Sequence, residues 1–344
     1  MTKKHARITA EDLWKIKRPS SPSLSPDGAQ ACVAITKYDM EENKGATHLW
    51  LLSTYGGEAR ELTQCGEKDG QPQWSPDGSR IAFVAKRGEG KGADEEPQIY
   101  LIAPDGGEAL RLTSIATGVS GIKWLADGKR IAFISWVWPD LKTEKEQARR
   151  LKERKDDKVK AHVVEHTVFR HWDHWLSDGR VPQVHLVDVN SGKCRNLFSG
   201  SKYELPVFDT SAADYDVSPD GRHLAFCFNP NPDRRGDQDH HIVEMDIRSG
   251  KAKTLTATST FSHFSPCYSP DGTRIGLLMA NMRRSVDDDP KVGVIERKGG
   301  RLTQWSDWDR VINAPLRWAA DGGSVVFSAD DCGRLSVWRL ETGK

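Results

Sequence analysis

His162, Glu165 and His166 stand in the order H-x-x-E-H. On a helix the two histidines would share one face and could hold zinc, with the glutamate beside them to activate water. That chemistry needs a long helical scaffold and a distant third ligand, whereas Val168 and Phe169 follow at once and favour extended backbone. A linker strand with surface histidines is the expectation, with no metal and no other cofactor. Next comes Phe169-Arg170-His171-Trp172-Asp173-His174-Trp175, dense in aromatic and polar groups. Such a run can line a pocket or bury itself against a neighbouring sheet edge. Arg170, Trp172, Asp173 and Trp175 are the candidate substrate contacts. Just upstream, Leu141 to Lys160 carries nine Lys/Arg against five Asp/Glu, with strong helix formers and no Gly or Pro. No aromatic residue interleaves the basic run, so a solvated helix is expected rather than a nucleic-acid arm. Elsewhere the chain has no G-x-S-x-G, the spacing of Gly118-Val119-Ser120-Gly121 being wrong. It also has no phosphate-cradling G-x-x-x-x-G-K-[ST], no G-x-G-x-x-G after a strand and no C-x-x-C. No catalytic residue is assigned.

The elements that must carry these residues announce themselves by repetition. Asp-Gly pairs recur at Asp27-Gly28, Asp77-Gly78, Asp127-Gly128, Asp220-Gly221, Asp271-Gly272 and Asp321-Gly322, at intervals of 50, 50, 93, 51 and 50 residues. Before the turn stands an aromatic or apolar residue (Leu24, Trp74, Trp124, Tyr268, Trp318). Three residues after each Gly stands another apolar one: Ala31, Ile81, Ile131, Leu224, Ile275 and Val325. In Ser-Pro-Asp-Gly, Pro presets φ, Asp bonds locally and Gly takes the positive φ, so the chain reverses into a hairpin. The second strands (IAFVA, IAFIS, LAFCF, IGLLM) are apolar on both faces, as strands between two sheets must be. A third strand follows a variable loop, and a fourth ends near Leu-Thr, as in Gly56 to Thr63 and Gly106 to Thr113.

Four antiparallel strands per ~50 residues, repeated radially, describe an all-β propeller. One domain over residues 1–344 is expected, with blades near 21–63, 72–113, 122–198, 215–256, 266–305 and 316–344, either six-bladed or an incomplete seven-bladed ring. The 93-residue interval holds a partly helical insertion in the third blade, at about 138–180. The sixth copy reaches Lys344 where the others begin a fourth strand. Ala6-Arg7-Ile8-Thr9 could supply that strand, or Thr9 could cap a short helix from Ala10 to Ile16 with Asp12 in the box position.

Composition agrees. With 37% hydrophobic and 29% charged residues, 30 Gly, 12 Trp and a net charge of +1, the chain reads as globular. Nothing points to nucleic acid, and no apolar run reaches the ~18 residues of a membrane span. The amino terminus lacks the apolar core of a secretory signal, and the six cysteines are scattered, so a cytoplasmic, reducing location is expected.

The W-S-P-D-G-x-x-I-A-F unit at Trp74 to Phe83 resembles the propeller of prolyl oligopeptidase family serine peptidases. So do the opening from Thr9 to Gly28 and the third-blade excursion from Phe169 to Lys193, nearest to the acylaminoacyl-peptidase and dipeptidyl-peptidase-like branch. The resemblance implies a propeller, usually seven-bladed, preceding an α/β-hydrolase domain with a Ser-Asp-His triad and limiting entry to short or unfolded peptides. No residue of this chain matches the triad and one blade of seven is missing. What it implies here is substrate gating, with the hydrolase domain of a parent chain and short peptides as partners. The alternative is a free-standing six-bladed scaffold for protein–protein interaction. A TolB-type periplasmic role is disfavoured by the missing export signal and amino-terminal α/β domain.

Overall fold

A computed structural model describes residues 8–342 apart from 67, 89, 160, 166–167, 232–238, 257–260, 282–288, 307 and 309. Its repeats form a six-bladed β-propeller of mostly four-stranded antiparallel sheets, with a helix inserted in the third blade. The second blade shows the plan: Gly70–Trp74, Ile81–Ala85, Gln98–Ala103 and Gly106–Arg111, in that order across the sheet. In the first blade the leading strand is broken into Arg18–Pro19 and Ser23–Leu24, both paired with Gln30–Asp39. Among the described residues the sixth blade has three strands, Ile312–Trp318, Ser324–Asp331 and Arg334–Glu341. Of the proposed Ala6–Thr9 strand, Ala6 and Arg7 lie outside the described residues. Ile8 and Thr9 are not in a strand. Instead the Thr9 N–H and hydroxyl both donate to the Asp12 carboxylate (3.0 and 3.2 Å) at the start of a helix that is shorter than expected, Asp12–Lys15.

Every repeat is tied by the same knot. The six Asp-Gly glycines have φ between 63° and 71°, the left-handed region that a Cβ makes costly. In four blades a serine completes it. The hydroxyls of Ser25, Ser75, Ser218 and Ser269 donate to the Asp carboxylate of the same turn at 2.5–2.6 Å. Each also accepts the N–H five residues on, at 2.9–3.0 Å. The Asp oxygen in turn accepts the N–H two residues on, at 3.0 Å. These donors favour the charged carboxylate, so the Ser75 hydroxyl and the Ser79 N–H hold Asp77 down to about 2. Leu125 and Ala319 stand in place of the serine in blades three and six. There the Asp carboxylate still accepts the N–H two residues on, from Lys129 at 2.8 Å and Gly323 at 2.9 Å, beside the backbone bonds Leu125 N–H to Arg130 C=O and Ala319 N–H to Ser324 C=O, both 2.9 Å.

The chain divides into two compact units, Met1–Trp124 with Val189–Lys193, and Leu125–Asp188 with Cys194–Lys344. In the first, Cys32, Leu49, Ile81, Phe83 and Tyr100 belong to one apolar cluster between sheets. In the second, Phe198, Tyr215, Leu224 and Phe226 centre one cluster, Ile275 and Leu277 another, and Val325 and Phe327 a third. The apolar residue three after the turn glycine is fully buried in five repeats, while Ala31 is half-buried. Each such Ile or Leu contributes about 1.5–3 kcal/mol by leaving water.

The aromatic residue before the turn also links blades. Trp124 Nε1–H donates to Gln73 C=O (3.1 Å) and Trp318 Nε1–H to Cys267 C=O (2.9 Å), each reaching back one repeat. At Tyr268 the hydroxyl donates instead to Glu244 (2.9 Å), a buried carboxylate also met by Arg297 at 2.6 Å and Lys253 at 3.2 Å.

Candidate functional site

The insertion is bolted to the third blade at Trp138, the first residue after Arg130–Val137 and almost fully buried. Gln147 reads its backbone twice: Trp138 N–H donates to Oε1 (3.0 Å), and Nε2–H donates to Trp138 C=O (2.8 Å). Gln147 belongs to the helix Glu144–Asp156, opened by a capping box between Thr143 and Glu146. The basic run is thus a helix whose described faces are largely solvated, as expected, with Gln147 its buried member. On the far side of the excursion, Trp138 Nε1–H donates to Asp178 C=O (2.8 Å), closing the base.

Between these anchors stands a two-stranded hairpin, Arg170–His171 against His174–Trp175. It gathers some of the candidate contacts and disperses others. Arg170 and Trp175 are cross-strand partners, with the guanidinium carbon 5.5 Å from the indole centroid. The same indole stacks on His162 at 3.9 Å and 12°. Trp172 and Asp173 form the two-residue tip. Trp172 has φ 50° and is 81% exposed. Asp173 pairs with the neighbouring His174 at 3.3 Å and is otherwise in solvent. A bulky residue in the left-handed region of a hairpin tip, where Gly or Asn is usual, costs about 1–2 kcal/mol. The Trp172 indole stands edge-on to the His171 ring, 6.3 Å between centroids at 80°.

Three residues that the sequence did not single out hold the hairpin in place. His171 packs on Phe208 (4.7 Å) and meets the Asp209 carboxylate at 3.2 Å, and Asp209 is itself left-handed with φ 49°. Ser177 is the other: its hydroxyl lies 3.1 Å from His162 Nδ1. A Ser–His pair is the beginning of a nucleophile, yet no carboxylate orients this imidazole among the described residues, and its face is taken by Trp175. Neither Phe208 nor Asp209 lies within thirty residues of the hairpin, and only the fold brings them together.

The zinc pattern has no helical scaffold, because Ala161 to Glu165 is not helical, and His166 lies outside the described residues. Among the described residues no group of three His, Cys, Asp or Glu is placed to hold a metal. A hollow of about 340 Å³ opens at the first two Ser-Pro-Asp-Gly turns, beside Pro26, Asp27, Trp74 and Asp77. Both carboxylates there are engaged by their own turns.

Known proteins share this architecture. Residues 15–154 match the model of the TolB β-propeller domain. Dipeptidyl-peptidase 5 of Porphyromonas gingivalis is 24% identical over 196 residues, covering 55% of this chain and 28% of that protein. Its namesake from Aspergillus fumigatus is 27% identical over 210 residues, covering 52% and 28%. Among solved structures, the acylaminoacyl peptidase of Pyrococcus horikoshii superposes on 97% of this chain with a TM-score of 0.68 and 17% identity, covering 47% of that chain. The β-propeller domain of the Trilobed protease from Pyrococcus furiosus gives 0.60 and 15%, covering 96% and 84%. The matches thus cover less than half the length of the acylaminoacyl peptidase and of both dipeptidyl-peptidases. The likeness to the acylaminoacyl peptidase is one of fold, over 47% of that chain.

Proposed function

We propose that this propeller is the substrate-filtering portion of an oligopeptidase-type serine peptidase, with hydrolysis carried by an α/β-hydrolase portion outside these residues. The supporting observation is the superposition of nearly the whole chain on less than half of an acylaminoacyl peptidase. Short peptides are the proposed ligands, and Arg170, Trp172, Asp173 and Trp175 the residues that meet them. An exposed indole on a strained tip offers apolar area at small ordering cost, with a carboxylate and a guanidinium on the same hairpin for the charges of a peptide. The cysteines at Cys32, Cys65, Cys194, Cys227, Cys267 and Cys332 are free thiols, in keeping with the proposed reducing, cytoplasmic setting.

Titration of tri- to hexapeptides into the purified chain, followed by tryptophan emission, tests the assignment. Saturable binding that weakens about tenfold or more in Trp172→Ala is expected, the cost of removing one central aromatic contact. Far-UV circular dichroism should be unchanged, because Trp172 supports no core. Equal affinity in the variant, or no binding in either protein, would overturn the role given to the hairpin.

A further inference from the structure

In the second unit an arginine guanidinium closes each seam between blades at the Asp-Gly turn. Arg130 donates to Gly221 C=O (3.4 Å), Arg297 to Gly272 C=O (2.6 Å) and Arg274 to Gly322 C=O. Where an aromatic residue precedes the turn, the same guanidinium lies over its ring, Arg297 at 5.2 Å from Tyr268 and Arg274 at 4.7 Å from Trp318. In blade four that place is taken by Val217. Arg130 and Arg274 each stand two residues after a turn glycine, at the head of a second strand. Arg130 also pairs with Asp127 of the turn it leaves, at 2.8 Å.

The seam between the first and second blades has the same frame but a different residue in the arginine's place. Two residues after Gly28 stands the neutral Gln30, which lines the hollow together with Asp27, Trp74, Asp77 and Gly78. A Cβ at Gly221 or Gly322 would meet a guanidinium nitrogen, at 2.9 or 3.8 Å, whereas at Gly78 it would meet Pro26 at 3.5 Å. The Asp27 and Asp77 carboxylates accept hydroxyls and N–H groups of their own turns, and among the described residues no cation pairs with either. Arg60 does not take the arginine's part. It donates to Pro104 C=O at the hollow's rim, just as Arg195 donates to Ile247 C=O (2.9 Å) in the seam that Arg130 also closes. Trp74 is nine-tenths buried, and among the described residues its Nε1–H has no partner, whereas Trp124 and Trp318 give theirs to the preceding blade.

We propose that the hollow between the first two Ser-Pro-Asp-Gly turns binds the side chain of an arginine from a partner polypeptide. Its guanidinium donates to Gly78 C=O and to the Asp27 carboxylate, whose counterparts Gly221 C=O and Asp127 are bridged by Arg130. It lies over Trp74 as Arg274 lies over Trp318, and Asp77 adds a second negative charge at the wall. Arginine is selected over lysine because one planar group bonds two acceptors and covers a ring at once. The hollow shares no residue with the aromatic hairpin.

The test titrates the blocked tripeptide acetyl-Ala-Arg-Ala-amide into the isotopically labelled full chain and follows the Gly78 amide and Trp74 indole N–H resonances by NMR. Both should shift saturably. The matching lysine peptide should bind about tenfold more weakly, and the neutral citrulline peptide should not saturate. Asp27→Asn keeps a side-chain acceptor for the turn while removing the charge, and should weaken the arginine peptide about tenfold. Gln30→Arg supplies the guanidinium from within the chain, as Arg274 does in its seam. That variant should raise the thermal transition and lose the peptide-induced shifts, and its raised transition shows that it folds. No saturable shift with the arginine peptide, equal affinity for the lysine peptide, or undiminished binding in Gln30→Arg would overturn the proposal.

Discussion

Lowering the pH from 7.5 to 4.5 brings three imidazoles into play: the buried His185 and His263 and the half-buried His240. Burial pushes each of them down to about 4, from an ordinary value near 6.5. His263 is fully buried, and neither of its ring nitrogens has a hydrogen-bond partner. His185 stacks on Phe133 at 5.2 Å, with Nδ1–H donating to Gln183 C=O. The unfolded chain protonates these groups below about 6.5, and the folded chain resists until about 4. Their contribution is therefore complete above pH 6.5 and is lost as the pH falls through that window. Each histidine forfeits up to about 3 kcal/mol across it, and three together approach the whole stability of an ordinary domain. Near pH 5 nearly one proton per histidine is taken up on unfolding, a slope of several kcal/mol per pH unit. Urea unfolding at pH 7.5, 6.0, 5.5 and 5.0 measures it, and His263→Leu should lower the slope by about a third. A slope below about 1 kcal/mol per pH unit, or one unchanged in His263→Leu, would refute the idea that these imidazoles are held neutral by burial.

Two further perturbations follow from the same structure. Ser75→Ala removes the hydroxyl that ties Asp77 to Arg80 N–H and should cost about 1–2 kcal/mol in urea unfolding, a tolerable loss since Leu125 and Ala319 occupy the equivalent place. Without that donor the Asp77 carboxyl should titrate higher than about 2 by NMR. At Glu244 burial works against ionisation, but Tyr268, Arg297 and Lys253 outweigh it and hold the carboxyl below its usual range. Glu244→Gln leaves Arg297 facing a neutral partner and should cost about 3–5 kcal/mol, read from the denaturant midpoint.

The propeller was legible because its punctuation is local. Pro, Asp and Gly at fixed offsets dictate a turn wherever they occur, and Ile81, Ile131 and Ile275 fall at one distance from it. The serine's part in the knot was written in the same four letters but passes unnoticed unless its hydroxyl is followed to both partners. The insertion's helix was also visible, since a long run of helix formers decides its own conformation. The hairpin tip was not, because Trp172 adopts a conformation that its residue type disfavours. Nor could the sequence pair His171 with Phe208 and Asp209, or lay His162 on Trp175, contacts that exist only once the excursion folds back. His162 drew attention as a metal ligand for its spacing to Glu165 and His166, yet its use in the structure is as a flat ring.

The most direct test of the peptidase assignment is to sequence the source reading frame beyond the codon for Lys344 and assay its product. The account predicts continuation into a segment with G-x-S-x-G at a strand-to-helix turn, and a full product that hydrolyses short peptides and is labelled by a serine-reactive fluorophosphonate. A stop codon directly after Lys344, or a continued frame whose product neither takes the label nor cleaves peptides, would contradict it.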